Sequence, residues 1–580
     1  MTDYTLYPKV KPTGELPPLV TSWLDERFVN HSEWAKQSVT GISVATHGAV
    51  PDTADSQTAA IQTAINSAAT FGVPVIVPKG TYTMTRQIVL PEGTTLELGE
   101  SAVLDFSSST TGWYIDVRGS KGTPITYPSS IKKGAFQVSL SGHPLKARDW
   151  VMIQSADVFD PDSTNICHGE LIQVREVGTG TVDFLTPVCD DYTTGVTITP
   201  VTMARNVEIH GGTIRGNFTS ETNKTGLRAQ YTDGLRVTGT RFEGIDNIHV
   251  SIRDSTDAWF DRCQFRWAES RVMGYGFSVA DTTRDSGCTN SIFRGVRHSL
   301  STNNTAGANA GGVLRRILFQ GNIVEYTSYA LAGSQAGGDA IDTHTAAEDV
   351  WIRYNTVSGS QGQSINVECA SAQIIGNTIL NSANTAISYH NEAARSGRVI
   401  ITGNTVNGVT GNGISTRTGD RGTQAPTESM IITGNEISDV TGRGINVGYI
   451  LTDRGVVVTG NTVNRSGDTP IRLFKLDGVV AHSNIVIGGA SMGIEYDRVT
   501  NAVLGPDSID AGAPTGAWTG MSLKSVTYSK VTPGAVQVTD PAGVGVRVES
   551  SCANLSLGPT AHLNAPTKLV NNGGSTVVQG

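Results

Sequence analysis

Acid–base side chains gather between residues 339 and 417 of the sequence. They are Asp339, Asp342, His344, Glu368, His390 and Arg417. Two carboxyl groups that face one another can act as general acid and base, which is the chemistry of a glycosidase. A histidine can instead abstract the C5 proton of a uronate whose carboxylate an arginine neutralises, which is lyase chemistry. Either reaction requires a fold that places these distant residues on one face.

A repeat marked by asparagine predicts that fold. The marker residues are Asn322, Asn355, Asn377, Asn404, Asn435, Asn461 and Asn484. Their spacing varies between 22 and 33 residues, but from Asn355 onward an apolar residue, the anchor, always follows ten positions later. The anchors are Ile365, Ile387, Ile414, Ile445, Ile471 and Ile494. A constant segment followed by turns of variable length predicts an all-β protein, a parallel β-helix whose asparagines stack in a ladder at one turn.

The anchors also assign faces to the neighbouring residues. Anchors should point inward, so positions one and three after them point outward. Asp342 and His344 occupy positions one and three after the anchor of one coil, and Glu368 occupies position three in the next coil. With coils ~4.8 Å apart, the Cβ atoms of Asp342 and Glu368 are expected ~8 Å apart, which suits an inverting glycosidase. Asp339 and His298 lie two positions before an anchor, where charge requires an outward-facing turn.

The constant offset fails once. Asn322 is followed by its anchor, Ile341, only after nineteen residues, so nine extra residues stand just before Asp339. Long turns on a solenoid often form binding surfaces, and this one carries Glu325, Tyr326 and Tyr329. A second long turn near 418–430 would flank the opposite side. We therefore predict Asp342, Glu368 and, as alternate, Asp339 as catalytic. The predicted substrate-binding residues are His344, His390, Arg417, His298, Tyr326 and Glu325. The ten-residue offset between marker and anchor also pairs Asn290 with Leu300, which assigns an earlier rung of the asparagine ladder to Asn290.

Composition narrows the function. The 580 residues include 66 glycines and carry a net charge of −9, which disfavours nucleic-acid or anionic-membrane partners. The sequence lacks an apolar run of membrane-spanning length and a signal-peptide core. Its six cysteines have no metal-ligand spacing, so neither a metal nor another cofactor is expected.

The stretch SVATHGAVPDTADSQTAAIQTAINSAATFGVPVIVPKGTYTM, residues 43–84, resembles the opening of the pectate-lyase-like superfamily as found in bacteriophage tailspikes and capsule depolymerases. Its helix would close one end of the solenoid, with Asp55 or Ser56 as the cap. Residues 145–192 look like the small β insertion of viral tailspikes. The resemblance implies a right-handed β-helix, a homotrimer, and binding or degradation of a host surface polysaccharide.

The resulting domain organisation has five parts. They are a particle-attachment segment (1–40), a capping helix with the first coils (41–118), a β insertion (119–204), the β-helix with the site (205–510) and a C-terminal β region for trimerisation or carbohydrate binding (511–580). We expect a virion-tail protein, made in the host cytoplasm and acting outside the cell, whose N-terminus binds a tail or baseplate protein.

Three functions fit this prediction. The favoured one is an endo-glycosidase that depolymerises a capsular or O-antigen polysaccharide, with Asp342 and Glu368 as the acid–base pair. The second is a polysaccharide lyase in which Arg417 neutralises a uronate and His344 or His390 abstracts the proton. The third is a receptor-binding spike without catalysis.

Overall fold

Three parallel β-sheets wind around one axis in about 16 turns. The structure, a computed structural model, describes residues 41–160, 166–217, 223–268, 273–325, 338–390, 397–416, 428–448, 455–512, 517–539, 541–558, 563–565, 567–571 and 577–579. Strands of successive coils pair in parallel and in register, as at Ile365↔Ile387. The predicted all-β solenoid is therefore confirmed.

The site sheet carries the anchors. Its strands are Ile88–Val89, Trp113–Arg118, Thr225–Gln230, Ile248–Arg253, Tyr275–Ala280, His298–Asn303, Ile341–Thr343, Ile365–Val367, Ile387–Tyr389, Ile414–Thr416, Ile445–Gly448, Ile471–Asp477, Met492–Thr500, Thr519–Lys524, Val544–Val548 and Thr567–Asn571. Ile341, Ile365 and Ile387 are fully buried, so the anchors face the interior as predicted.

The second sheet follows the site sheet along the chain. Its strands are Ile42–Ser43, Val75–Val77, Thr95–Leu98, Glu208–His210, Arg236–Thr238, Trp259–Asp261, Arg284–Thr289, Leu314–Gln320, Ala347–Arg353, Ala372–Ile375, Arg398–Thr402, Ser429–Thr433, Val456–Thr459, Val479–His482, Val503–Leu504, Thr527–Val531, Ala553–Leu557 and Val577–Gln579.

The third sheet completes each coil. Its strands are Gly80–Thr83, Ala102–Asp105, Thr213–Arg215, Arg241–Glu243, Gln264–Ala268, Ile292–Val296, Ile323–Glu325, Thr356–Ser358, Thr378–Leu380, Thr405–Val409, Glu436–Val440, Thr462–Ser466, Ile485–Ile487, Asp507–Asp510, Gly534–Gln537 and Leu563–Asn564. The constant ten-residue offset covers a third-sheet strand and its turn into the site sheet, so the length variation lies around the second-sheet strand.

The asparagine ladder runs along the turn between the second and third sheets. All seven marker asparagines are buried. In a typical rung, Asn377 Nδ2 donates to Asn404 Oδ1 and to Ile352 O, both at 3.0 Å. The structural role predicted for these residues is confirmed. The earlier rung assigned to Asn290 is wrong by one residue, because Ser291 occupies the position and its main-chain N–H donates to Asn322 Oδ1 at 2.9 Å.

The ladder ends at a carboxylate. The main-chain N–H and Nδ2 of Asn484 donate to Asp507 Oδ1 at 2.9 and 3.0 Å. Beyond this point the coils continue in parallel register, as at Glu495↔Ser522 and Ser522↔Arg547. The predicted end of the solenoid near residue 510 is therefore wrong for the described residues. The repeat loses its marker there because Gly534, which has no side chain to stack, lies opposite Asp507.

One α-helix, Thr58–Phe71, closes the start of the solenoid in the described chain, after a 3₁₀ turn at Val44–His47. Ile61, Ala64, Ile65 and Ala68 are buried in the solenoid core, which confirms that the helix closes this end of the solenoid as predicted. The predicted cap is wrong, because Gln57 is the N-cap residue, and its side chain makes no capping hydrogen bond. No helix in the described ranges is long and apolar enough to cross a membrane.

An antiparallel sheet interrupts the first coils. Its strands are Ser120–Lys121, Ile125–Thr126, Gln137–Ser139, Trp150–Asp160, Ile166–Gly178, Thr181–Phe184 and Thr197–Thr202. This insertion has an apolar core of its own. It is joined to the second sheet by the buried side chain of Arg315, which lies 2.6 Å from Asp190 Oδ2 and 3.1 Å from Glu348 Oε2. A short parallel pair, Ala204–Arg205 with Thr232–Asp233, leads the chain back into the solenoid.

Candidate active site

Three consecutive strands of the site sheet position the candidate site. Asp342, Asn366 and Ser388 lie side by side in register. Because the flanking anchors point into the core, these three side chains point to the outer face. His344, Glu368 and His390 each follow the end of one of the three strands. The register therefore gathers residues that are up to 48 positions apart in the sequence.

Asn366 joins the two predicted catalytic carboxylates. Its Nδ2 donates to Asp342 Oδ1 and to Glu368 Oε1, both at 3.0 Å. Two oxygens bonded to one nitrogen are no farther apart than twice that distance. This limit holds for one oxygen of each carboxylate, so the ~8 Å Cβ separation and the inverting geometry inferred from it stay predictions. The two side chains turn toward each other because the Asn366 amide holds both.

Histidines surround this carboxylate pair. His344 lies between the two acids, with Nε2 3.5 Å from Asp342 Oδ2 and Nδ1 3.6 Å from Glu368 Oε2. His390 Nε2 is 3.2 Å from Glu368 Oε1, and His298 Nε2 is 3.7 Å from Asp342 Oδ2. These five ionisable residues, together with Asn366, are called the acid–histidine cluster below.

Charge is distributed unevenly over the cluster. Burial opposes the charged form of His344, but Asp342 and Glu368 together outweigh it and raise the pKa of His344 to about 9. Burial likewise opposes ionisation of Glu368, but bonds and charge from His344 and His390 hold its pKa well below its usual range. Burial lowers the pKa of His298 to about 4. At neutral pH the cluster thus contains a His344 cation, a Glu368 anion and a neutral His298.

Solvent reaches the cluster from one side. The side chain of His344 is 40% exposed and that of Glu368 is 18% exposed, whereas that of Asp342 is 7% exposed. His298 and His390 are buried. A ligand therefore meets His344 and Glu368 first, with Asp342 beneath them. Within the described ranges, no group of three or more His, Cys, Asp and Glu side chains is arranged to hold a metal ion.

Two predicted site residues lie elsewhere. Asp339 accepts the main-chain N–H of Gln363 at 2.7 Å through its carboxylate, so this acid closes a turn beside the cluster. Its carbonyl oxygen lies 2.5 Å from His298 Nδ1. Glu325 ends a strand of the third sheet and pairs with Arg294, so it lies away from the site sheet. Tyr326, Tyr329 and Arg417 lie outside the described residues.

One member of the cluster, Asn366, is missing from the predicted site. Its outward position between Asp342 and Ser388 in the register was readable from the repeat. An amide neither donates a proton in catalysis nor carries charge, so a search for acid–base residues omits it. An amide nevertheless has two donor hydrogens, which is why it can bridge two carboxylates.

Comparison with known proteins supports the same architecture. Residues 41–115 match the profile described as rhamnogalacturonase A/epimerase, pectate lyase-like, and residues 392–559 match that of the right-handed β-helix region. Comparison with curated protein sequences gives no match.

Solved structures of phage tailspikes share the fold. The tailspike protein gp49 from Pseudomonas phage LKA1 has a TM-score of 0.55 at 17% identity, over 84% of this chain and 83% of that one. The tailspike gp61 of Pseudomonas phage phi297 has a TM-score of 0.51 at 14% identity, over 90% and 80%. The Gp54 tailspike of Acinetobacter baumannii bacteriophage AP22, in complex with A. baumannii capsular saccharide, has a TM-score of 0.50 at 14% identity, over 91% and 80%. The predicted right-handed, pectate-lyase-like β-helix, similar to that of phage tailspikes, is confirmed.

Proposed function

We propose that the protein is a phage tailspike that binds and cleaves a bacterial capsular or O-antigen polysaccharide at the acid–histidine cluster. The observation that carries the proposal is the pairing of two carboxylates through Asn366, with His344 between them, on the outer face of the solenoid. The fold shared with tailspikes, one of them in complex with a capsular saccharide, supports the substrate class.

Hydrolysis is the favoured reaction. Glu368 fits the role of nucleophile or base, because His344 and His390 favour its ionised form and solvent reaches it. Asp342, whose charge helps to hold the proton on His344, then acts with that imidazole to protonate the leaving oxygen. His344 contacts both acids and can pass a proton between them, while Asn366 fixes their separation. Arg417 and Tyr326 keep their proposed substrate-binding roles.

A lyase reaction is the second candidate. Its support is the charge of His344, which at neutral pH could neutralise the carboxylate of a uronate. This reaction leaves a conjugated double bond in the product, whereas hydrolysis incorporates water.

Mass spectrometry of the fragments released from a panel of capsular and O-antigen polysaccharides tests the proposal. Glu368→Gln and Asp342→Asn should abolish cleavage and retain polysaccharide binding. The matched control is Ser388→Ala, one strand beyond Asn366 in the same register, which should retain full turnover. Unchanged turnover in both acid variants would exclude this site. Binding without cleavage in the parent protein would identify a receptor-binding spike.

The resemblance of the sequence to tailspikes also leads us to propose an assembly. We expect a homotrimer at the virion tail, attached through residues 1–40 to a tail or baseplate protein, with residues 511–580 contributing to trimer contacts or carbohydrate binding. Light scattering on the full chain gives the oligomeric state. Deletion of residues 1–40 should abolish incorporation into particles while leaving polysaccharide cleavage intact.

A further inference from the structure

A second cleft lies on the outer face of the site sheet, near the start of the solenoid. It has a volume of about 340 Å³. Trp113, Arg228, Ser251, Arg253 and Tyr231 line it. We call it the distal cleft. None of these residues belongs to the acid–histidine cluster.

The register places the distal cleft and the cluster along one line. Arg228, Ser251, Ser278, Ser301 and Asp342 are consecutive partners in the site sheet. Four strand spacings separate Arg228 from Asp342, which amounts to about 19 Å along the solenoid axis. A polymer that runs parallel to the axis over the cluster therefore reaches the distal cleft.

The lining has the chemistry of a sugar site. The Arg228 guanidinium stacks 3.6 Å from the centre of the Trp113 ring and donates to both Asp116 oxygens, at 2.9 and 2.7 Å. This pairing holds the aromatic and the guanidinium planes rigidly in place. The Trp113 indole Nε1 is buried, with no hydrogen-bond partner in the described part of the chain. A buried donor of this kind favours a ligand that brings an acceptor oxygen.

A further aromatic side chain, Tyr231, lines the cleft. Burial, with the nearby carboxylate of Asp254, raises the pKa of Tyr231 to about 12. The phenol therefore stays protonated and can donate a hydrogen bond.

The two arginines of the cleft are already paired with carboxylates. Arg253 lies 2.7 Å from Asp281 and Arg228 lies 2.7 Å from Asp116, so both cations already have carboxylate partners. Asp254 accepts the hydroxyl of Thr282 at 2.9 Å. A polyanion would have to displace these carboxylates, whereas a neutral, hydroxyl-rich ring can donate to them and accept from the arginines. The observations thus favour an uncharged sugar unit.

We propose that the distal cleft is a second saccharide-binding subsite, which holds an uncharged sugar unit of the same polysaccharide chain that the acid–histidine cluster binds. This inference rests on the proposed function for the identity of the polymer. The subsite contributes affinity for long chains and takes no part in bond cleavage. Trp113 supplies the ring contact, and Arg228, Arg253 and Tyr231 supply hydrogen bonds.

Binding measurements in a Glu368→Gln background test the subsite. The probe is the surface polysaccharide purified from the strain whose lawn the protein clears, or whose cells it labels if it clears none. Trp113→Leu removes the aromatic surface, and Ser251→Trp fills the cleft without deleting a charged group. Tyr354→Leu, at an exposed aromatic outside the cleft, is the matched control. Both cleft variants should weaken binding of the intact polysaccharide at least about tenfold, while the control leaves it unchanged.

The outcomes separate this inference from the proposed function. In the otherwise unmodified enzyme, the cleft variants should raise KM for the intact polysaccharide and leave kcat on the shortest cleavable fragments unchanged. Parent-like binding by either folded cleft variant would overturn the subsite. If Asp342→Asn and Glu368→Gln remain active while the cleft variants lose affinity, the catalytic assignment fails and the distal cleft stands. If the parent protein binds no surface polysaccharide, both proposals fail.

Discussion

Replacing Asp507 with asparagine should stabilise the protein at neutral pH. Asp507 terminates the asparagine ladder and is 3% exposed. Burial raises the pKa of Asp507 to about 6, although the two bonds from Asn484 oppose this rise. An asparagine keeps the Oδ1 acceptor for Asn484 and removes the charge. The substitution therefore gives Asn484 an uncharged amide acceptor like those of the preceding rungs, and the ladder still ends opposite Gly534.

The size of the effect follows from proton linkage. In the unfolded chain an aspartate has a pKa near 3.9, so the difference from about 6 corresponds to roughly 3 kcal/mol. The folded state binds the proton more tightly. The stability contributed by Asp507 is therefore fully present below about pH 4 and is lost as the pH rises through about 6. Asp507→Asn should gain up to this amount above pH 6 and little below pH 4.

Unfolding of the parent and of Asp507→Asn at about pH 4 and about pH 8 tests this reasoning, by calorimetry or denaturant titration. The expected result is a gain in stability that is present at the higher pH and small at the lower one. Asp510→Asn, on the same strand, is the control for the loss of one carboxylate. An equal gain at both pH values, or a gain matched by the control, would refute the idea that buried charge at Asp507 is the cause.

Three other predictions concern the ladder, the core and the site. Asn404→Ala removes a buried side chain that donates to Asn435 Oδ1 at 2.9 Å. Its hydrogen-bond partners are then buried without a partner, so the free energy of unfolding should fall by about 3 kcal/mol or more. His249 is fully buried beside Phe265, and burial lowers its pKa to about 3. Because the unfolded chain binds a proton at His249 more readily than the folded protein does, the stability that neutral His249 contributes is lost as the pH falls from about 6.5 toward 3. His249→Phe should therefore shift acid denaturation to lower pH. An unchanged midpoint of acid denaturation would contradict this prediction. The raised pKa of His344 predicts polysaccharide cleavage that persists at neutral pH and declines as the pH rises through about 9. His344→Gln should remove this alkaline decline from the pH–rate profile. A decline that survives in the variant would exclude His344 as its source.

The sequence predicts the features that follow from its period. The buried rung at Asn377 and the buried anchor at Ile387 repeat at a fixed offset, because every coil must bury side chains at the same positions to pack on its neighbours. The grouping of Asp342 with Glu368 follows from the same arithmetic. Their actual separation does not, because it depends on the rotamers that the Asn366 amide selects.

Other features depend on interactions that leave no periodic trace. Glu325 stands next to the long turn in sequence, but its third-sheet strand directs it toward Arg294. The rung at Ser291 replaces an amide with a hydroxyl, so a search for asparagine selects the wrong neighbour. The coils after Asp507 lack any marker side chain, and only strand pairing reveals that they continue.

Because every coil after Asn355 keeps the same ten-residue segment, this solenoid can change its length only by whole coils. Removing one residue between Asn404 and Ile414 would invert the faces of the strand that follows and drive its apolar side chains into solvent. Removing a complete coil, residues 405–435, would instead bring the third-sheet strand at Glu436 directly after Asn404 and restore every offset. Such a chain can shorten or lengthen by whole layers while its outer surface keeps its alignment, so the reach of the molecule and the chemistry of its face can change independently.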